Sequence, residues 1–127
     1  MEAHGATWYS AVPTIHHVLA AEGIPSKHGL RFARSCSSPL PVPLQLDLEH
    51  QLGVPLLQAY GMSEAAHQMA SNPLPPKESR AGTVGMATGV EVAVLDPDWN
   101  QVPAGEEGEI AVRGPSVIDA YLSLIHI

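Results

Sequence analysis

Between residues 7 and 70, short strand-like runs alternate with helical ones, and this alternation limits the possible folds more than any other feature. Pro13 and Gly23 bracket the first helical run, and they are typical of a helix's first turn and its end. Hydrophobic spacing predicts strands over 7–12, 30–34 and 54–59 and helices over 13–22, 41–52 and 63–70. Alternating strands and helices favour a mostly parallel sheet, so we expect an α/β fold over about 7–71.

The pattern changes at the proline-rich segment 72–76, which cannot continue a helix. Beyond it, apolar runs at 90–95 and 109–113 flank a cluster of turn residues at 96–100, a pattern typical of antiparallel strands. We therefore predict an antiparallel β-rich subdomain over about 82–121, with a boundary near 72–81.

Composition excludes several classes of protein. Hydrophobic residues make up 45% of the 127 residues and charged residues 15%, which argues against disorder. The net charge of −7 argues against a general binder of nucleic acids or of membrane surfaces. No apolar stretch approaches the length of a membrane span, and the single cysteine, Cys36, excludes an internal disulfide.

The most informative stretch is 58–66, where a predicted strand gives way to a glycine and then to two polar residues. In parallel sheets, ligands lie beyond the carboxyl ends of the strands, where helix N-termini also attract anions. Ser63 could donate to a phosphate, Glu64 could bind a hard cation, and Tyr60 could stack on a base. The same residues equally suit a plain helix start, with Ser63 as N-cap and Glu64 as a first-turn acid.

A serine hydrolase is an alternative interpretation of this stretch. Gly61–Ala65 approximates the Gly-x-Ser-x-Gly nucleophile elbow, with alanine in the last position. The residues that could complete a triad in the expected chain order are Asp96, Asp98, Asp119 and His126. Metal binding through histidine and cysteine is disfavoured, because no recognised ligand spacing joins His16, His17, His50 and Cys36.

Five segments, in order along the chain, resemble the AMP-forming acyl-CoA synthetase and adenylating-enzyme superfamily. Residues 60–64 resemble its Tyr-Gly-x-Thr-Glu signature, with serine in place of threonine. Residues 12–14 resemble its Val-Pro-Thr segment, and 34–40 its Ser-Gly-Gly-Ala-Pro-Leu adenine loop. Residues 82–85 resemble its Gly-Ser-Val-Gly turn, and 108–114 its Gly-Glu-(aliphatic)-x-x-Arg-Gly strand. The resemblance implies that 1–127 is a fragment of the larger N-terminal domain of an adenylating enzyme.

Within the superfamily, residues 7–16 and 64–75 are most similar to the oxalate–CoA ligase branch, close to 4-coumarate–CoA ligases. The implied activity is that of an AMP-forming carboxylic acid–CoA ligase using ATP, Mg²⁺ and coenzyme A. It would convert an acid, possibly oxalate, into an acyl-adenylate and then into a thioester.

The resemblance also implies roles for individual residues. Glu64 would bind Mg²⁺ and Ser63 would hydrogen-bond the α-phosphate, which makes these two the expected catalytic residues. Tyr60 and Gly61 would contact the nucleotide, with the Tyr60 ring stacked on adenine. The backbone of Ser37 and Ser38 would lie on the other side of the base. Met62 and His67 are assigned to the acid substrate. In the predicted helix over 63–70, His67 lies three residues after Glu64 and so roughly on the same face, where it could meet the second charge of a small dicarboxylate.

Members of the superfamily are several times longer than this chain. The resemblance therefore implies that a phosphate loop, a ribose-binding acid and a catalytic lysine belong to segments outside 1–127, and we expect the chain alone to be inactive. Residues 122–127 fit nothing in the family pattern. The expected location is cytoplasmic or peroxisomal, with the targeting terminus missing. A non-catalytic remnant is a third interpretation.

Overall fold

The computed structural model describes residues 4–25 and 27–121. Two helices, α1 and α2, and seven strands, β1 to β7, form its regular structure. The helices are α1 (Pro13–Glu22) and α2 (Val42–Leu52). The strands are β1 (Trp8–Ala11), β2 (Phe32–Ser35), β3 (Leu56–Met62), β4 (His67–Ser71), β5 (Met86–Ala87), β6 (Glu91–Leu95) and β7 (Glu109–Arg113). Neither helix within these described residues is long and apolar enough to cross a membrane.

The first five strands form one sheet in the order β1-β2-β3-β4-β5. β1, β2 and β3 are parallel, whereas β4 and β5 are antiparallel to their neighbours. β6 and β7 form a separate antiparallel pair. The α/β prediction, with a parallel part followed by an antiparallel part, is therefore confirmed.

Helix α2 supplies much of the core because its leucines repeat at helical spacing. Leu44, Leu48 and Leu52 are buried on one face, against Ala33 and Leu56 of the sheet. The helix ends at Gly53, whose φ of 65° places it in the left-handed region that glycine adopts without a side-chain clash. This packing fixes α2 against the sheet and so positions the loop between β2 and α2.

The connection between β4 and β5 is ordered by the buried side chain of Asn72. Its Nδ2 donates to the carbonyl oxygens of Gln58 (3.2 Å) and Thr83 (2.6 Å), and its Oδ1 accepts from the Arg80 backbone N–H (3.0 Å). The chain changes sheets only after β5, which is later than the expected boundary near 72–81. That domain boundary itself stays a prediction.

The helix predicted over 63–70 is wrong. A single 3₁₀ turn over Ser63–Ala65 is followed by Ala66 and His67, whose φ angles of 50° and 80° end the helix. The chain then reverses into β4, where Met69 and Ala70 are buried in the sheet. Helix propensities differ between ordinary amino acids by only a few tenths of a kcal/mol per residue. The burial of Met69 and Ala70 in the sheet therefore outweighs the preference of this segment for a helix.

The buried His16 gives the fold a pH dependence that can be measured. His16 is fully buried on α1, and its Nδ1 lies 3.3 Å from the Tyr9 hydroxyl. Burial lowers its pKa below the ordinary value of 6.5, so the unfolded chain takes up a proton at higher pH than the folded chain. Stability should therefore fall as the pH drops through about 6.5.

The measurement is the unfolding temperature between pH 8 and pH 5. His16→Leu should weaken its fall with acidity, because the variant has no buried imidazole to protonate. His17→Gln removes the neighbouring exposed histidine and should leave the profile unchanged. Parallel profiles for wild type and His16→Leu would contradict the assignment.

Candidate active site

The site lies where the three parallel strands end at the same edge of the sheet. Ala11 pairs with Ser35, and Ser35 pairs with Gln58, so the chain leaves β1 and β2 level with the second half of β3. The loop that carries Ser37 and Ser38 consequently emerges beside the part of β3 that carries Tyr60 and Gly61. Register alone thus brings the predicted adenine loop and signature segment together.

Gly61 is required by the close approach of two strands. A β-carbon at this position would overlap the carbonyl group of His67 in the neighbouring β4. The pairing register also shifts between Tyr60 and Gly61, which is a bulge in the β3–β4 hairpin. The close approach of the His67 carbonyl is sufficient to explain why residue 61 is a glycine. The assignment of Gly61 to nucleotide binding stays a prediction.

Glu64 accepts two hydrogen bonds from the chain segment that follows β7. Its backbone carbonyl accepts from the Ile118 N–H (2.8 Å), and its Oε1 accepts from the Tyr121 hydroxyl. That hydroxyl holds the pKa of Glu64 below its usual range, while the carboxylate raises the pKa of Tyr121. Glu64 is therefore a positioned, negatively charged carboxylate at neutral pH, next to the exposed Ser63.

A magnesium ion fits this arrangement as a partner shared with phosphates. Among the described residues, no group of three or more His, Cys, Asp or Glu side chains could hold a metal ion. Mg²⁺ typically keeps several waters and is bound through one or two carboxylates together with substrate phosphates. Glu64 supplies one charged carboxylate, which is enough for Mg²⁺ binding that is shared with the phosphates of a substrate.

Ser37 and Ser38 are both exposed on the loop between β2 and α2. Ser37 has a φ of 79°, a conformation that costs a non-glycine residue of the order of 1 kcal/mol or more. Backbone strain of this kind concentrates at ligand sites, so it supports their assignment to nucleotide binding, which stays a prediction.

The hairpin, and not a helix, brings Met62 and His67 together. The expectation that His67 shares a helix face with Glu64 is wrong, because His67 begins β4. It pairs instead with Met62 across the hairpin, and both side chains are exposed. His67 Nε2 lies 3.3 Å from Nη2 of Arg34. The residues assigned to the acid therefore do lie side by side.

Arg34 belongs to the candidate site but is not predicted as a site residue from the sequence. Its guanidinium group donates to Ser10 Oγ (3.3 Å) and to Gln68 Oε1 (3.0 Å), and it contacts His67. The available signal was a basic residue at the start of the segment that resembles the adenine loop (34–40), at the end of a predicted strand that is otherwise mainly apolar. Its contacts are 24 to 34 positions away along the chain and could not be read from local spacing.

The structure around Ser63 does not have the features expected of a serine hydrolase. A nucleophile elbow places its serine between a strand and an α-helix, but Ser63 begins only a three-residue 3₁₀ turn. Asp96 is engaged in its own turn, where Oδ1 accepts from the N–H groups of Asp98 (2.9 Å) and Asn100 (2.8 Å). His126 lies outside the described residues.

The fold defines an α/β protein, and its candidate site lies at the carboxyl edge of the parallel strands, where a charged carboxylate adjoins a hydroxyl. Residues 1–122 match the model of the family described as AMP-binding enzyme. The chain belongs to this family, which confirms the resemblance found in its sequence.

Known relatives agree with this membership. The chain is 44% identical to a probable CoA ligase, CCL9, of Humulus lupulus, and covers 24% of it with 95% of its own length. It is 42% identical to an oxalate–CoA ligase of Saccharomyces cerevisiae, and covers 22% of it with 93% of its own length. The chain thus spans about a quarter of the length of these relatives.

Solved structures share the fold. One is the O-succinylbenzoate coenzyme A synthetase MenE of Bacillus subtilis, in complex with ATP and magnesium ion. Its TM-score is 0.78 at 28% identity, and the similarity covers 94% of this chain and 25% of that one.

Proposed function

We propose that this chain is the part of an acid–CoA ligase that binds the nucleotide and the acid. The observation that carries the proposal is the charged Glu64 carboxylate, held by Tyr121 beside the exposed Ser63 at the carboxyl edge of the sheet. Membership of the AMP-binding family and similarity to CoA ligases support it.

In the proposed reaction, a carboxylate oxygen of the acid attacks the α-phosphorus of ATP, and pyrophosphate leaves. The thiol of coenzyme A then attacks the acyl carbon, forming the thioester and releasing AMP. The first step brings several anions together, so it depends on a cation and on oriented donors. Bound Mg²⁺ would neutralise phosphate charge as a Lewis acid.

The chain's own residues would bind and orient. Glu64 would hold the cation with a carboxylate that Tyr121 keeps fixed, and Ser63 would donate to the α-phosphate. Tyr60 would stack on the adenine ring against the backbone of Ser37 and Ser38. Glu109 and Arg113 belong to β7, where the Arg113–Glu91 pair (2.5 Å) is exposed at both ends, so we assign them no chemical step.

We further propose a small acid such as oxalate as the substrate, with Met62 and His67 beside it. Similarity to the yeast oxalate–CoA ligase supports this choice. The cytoplasmic or peroxisomal location, and the inactivity of 1–127 alone, stay predictions. The experiments below use a full-length ligase, by which we mean a polypeptide with this chain in the matching segment of a complete acid–CoA ligase.

Substitution of Ser63 separates the ligase from the hydrolase. In the full-length ligase, Ser63→Ala should slow acid-dependent pyrophosphate release by about 10- to 100-fold, since one donor to the phosphate is lost. Ser63→Thr should change it by less than about threefold, because threonine supplies the same hydroxyl. The two rates are compared by a coupled pyrophosphate assay.

Ester hydrolysis is measured on the same variants. A hydrolase would lose all of this activity with alanine and would need no ATP. ATP-independent cleavage of an acyl ester that disappears in Ser63→Ala would replace the ligase proposal with the nucleophile elbow.

A further inference from the structure

The sheet face opposite α1 and α2 carries a cleft of about 360 Å³. Side chains of a strand alternate between the two faces, so the burial of Ala33 and Ser35 on the helix side places Phe32 and Arg34 on the other. One wall is apolar, formed in part by the stacked rings of Trp8 and Phe32, with centroids 5.7 Å apart. The other wall is polar, and its members include Ser10, Arg34, His67 and Gln68.

Arg34 brings a positive charge into this cleft that the described residues do not neutralise. No aspartate or glutamate is among the residues that line the cleft. The three side-chain contacts of the guanidinium group are to Ser10, Gln68 and His67, and none of these is an acid. An anion opposite the half-buried guanidinium would stabilise it, and none of the residues that line the cleft supplies one.

The contact between Arg34 and His67 fixes what each group can do. A guanidinium group has only donors, so Nε2 of His67 is the acceptor in the 3.3 Å contact. Nε2 can accept there only in the tautomer that carries its proton on Nδ1, and in that tautomer Nε2 has no proton to offer a ligand. The contact indicates that His67 positions Arg34 and does not itself donate to the acid through that nitrogen.

Gln68 holds the same guanidinium from a second side. Its Oε1 accepts from Arg34 (3.0 Å), and its Nε2 donates to Thr88 Oγ1 (3.2 Å). Arg34 is thus oriented by groups on β1 and β4 and by Thr88, which follows β5. Preorganisation of this kind lowers the entropy lost when a ligand binds.

We propose that Arg34 binds the second anionic group of a short dianionic acid, an assignment that rests on the proposed ligase function. The reacting carboxylate would lie near Ser63 and Glu64. His67 pairs with Met62, the residue directly before Ser63, so its partner Arg34 lies a short distance from that position. The planar fork of arginine matches a carboxylate with two parallel hydrogen bonds, and a long or apolar acid would leave its charge unpaired.

The test compares oxalate with acetate in the full-length ligase. Arg34→Met should raise the KM for oxalate about 50-fold and that for acetate less than about threefold, because only oxalate has a second charge to lose. Arg34→Lys should retain part of the preference for oxalate over acetate, because lysine keeps the positive charge but cannot form the two parallel hydrogen bonds of a guanidinium group. His67→Leu should have a smaller effect than Arg34→Met. Arg31→Met, at an exposed arginine of the same segment, is the matched control.

Calorimetric titration of oxalate and acetate, without ATP, tests binding independently of turnover. Tighter binding of oxalate that disappears in Arg34→Met supports the assignment even if no acid is activated, in which case the ligase function alone fails. Equal affinity of the wild type for both acids overturns the Arg34 assignment while the ligase function stands. Equal losses for both acids in Arg34→Met and Arg34→Lys would make Arg34 structural and also overturn it.

Discussion

Glu64→Gln in the full-length ligase should lower kcat for acid-dependent pyrophosphate release about 1000-fold. Glutamine has nearly the same shape, and its carbonyl oxygen can still accept from the Tyr121 hydroxyl, so the loop should keep its conformation. What the variant lacks is the negative charge that we assign to the cation. The unfolding temperature should accordingly stay close to that of the wild type.

The measurements are the steady-state rate over a range of Mg²⁺ concentrations and the unfolding temperature of the same preparation. Glu109→Gln is the matched control, because Glu109 is an exposed acid of β7 to which we assign no chemical step. A wild-type rate with unchanged Mg²⁺ dependence in Glu64→Gln would reject the metal assignment. A rate that falls together with the unfolding temperature would point to a structural role of Glu64.

The helices and the antiparallel pair could be predicted because local signals determine them. Pro13 and Gly23 bracket α1, and the leucines of α2 repeat on one face before Gly53. The two runs that flank the turn at 96–100 do pair, from Glu91 with Arg113 to Leu95 with Glu109. In each of these cases the signals that predict the element lie within its own segment or in the turn residues beside it.

The segment after Ser63 could not be predicted, because distant contacts decide its structure. The residue types of this segment favour a helix, but the burial of Met69 and the close approach of His67 to Gly61 favour a hairpin. The same limit applies to Arg34, whose contacts come from β1 and β4. The positions of Ser63 and Glu64 at a strand end were predictable, whereas the groups that orient Glu64 lie more than 50 residues away.

Gly61→Ala should destabilise the protein more than any other single methyl group added to the site. The new β-carbon would overlap the His67 carbonyl, and backbone atoms of a paired strand cannot move aside as a flexible side chain could. Overpacking typically costs 1–3 kcal/mol, and we expect roughly 3 kcal/mol or more here, with separation of β3 from β4. The readout is the unfolding temperature and the yield of folded full-length ligase.

The control for Gly61→Ala is Gly29→Ala, which adds the same methyl group elsewhere. A β-carbon at Gly29 would lie 3.5 Å from the Ala6 carbonyl oxygen, an ordinary contact, so this variant should unfold close to the wild-type temperature. Since the hairpin also places His67 against Arg34, Gly61→Ala should weaken oxalate binding in whatever protein still folds. A Gly61→Ala protein as stable as the control would mean that the β3–β4 register is wrong, and the contact between His67 and Arg34 would lose its structural basis with it.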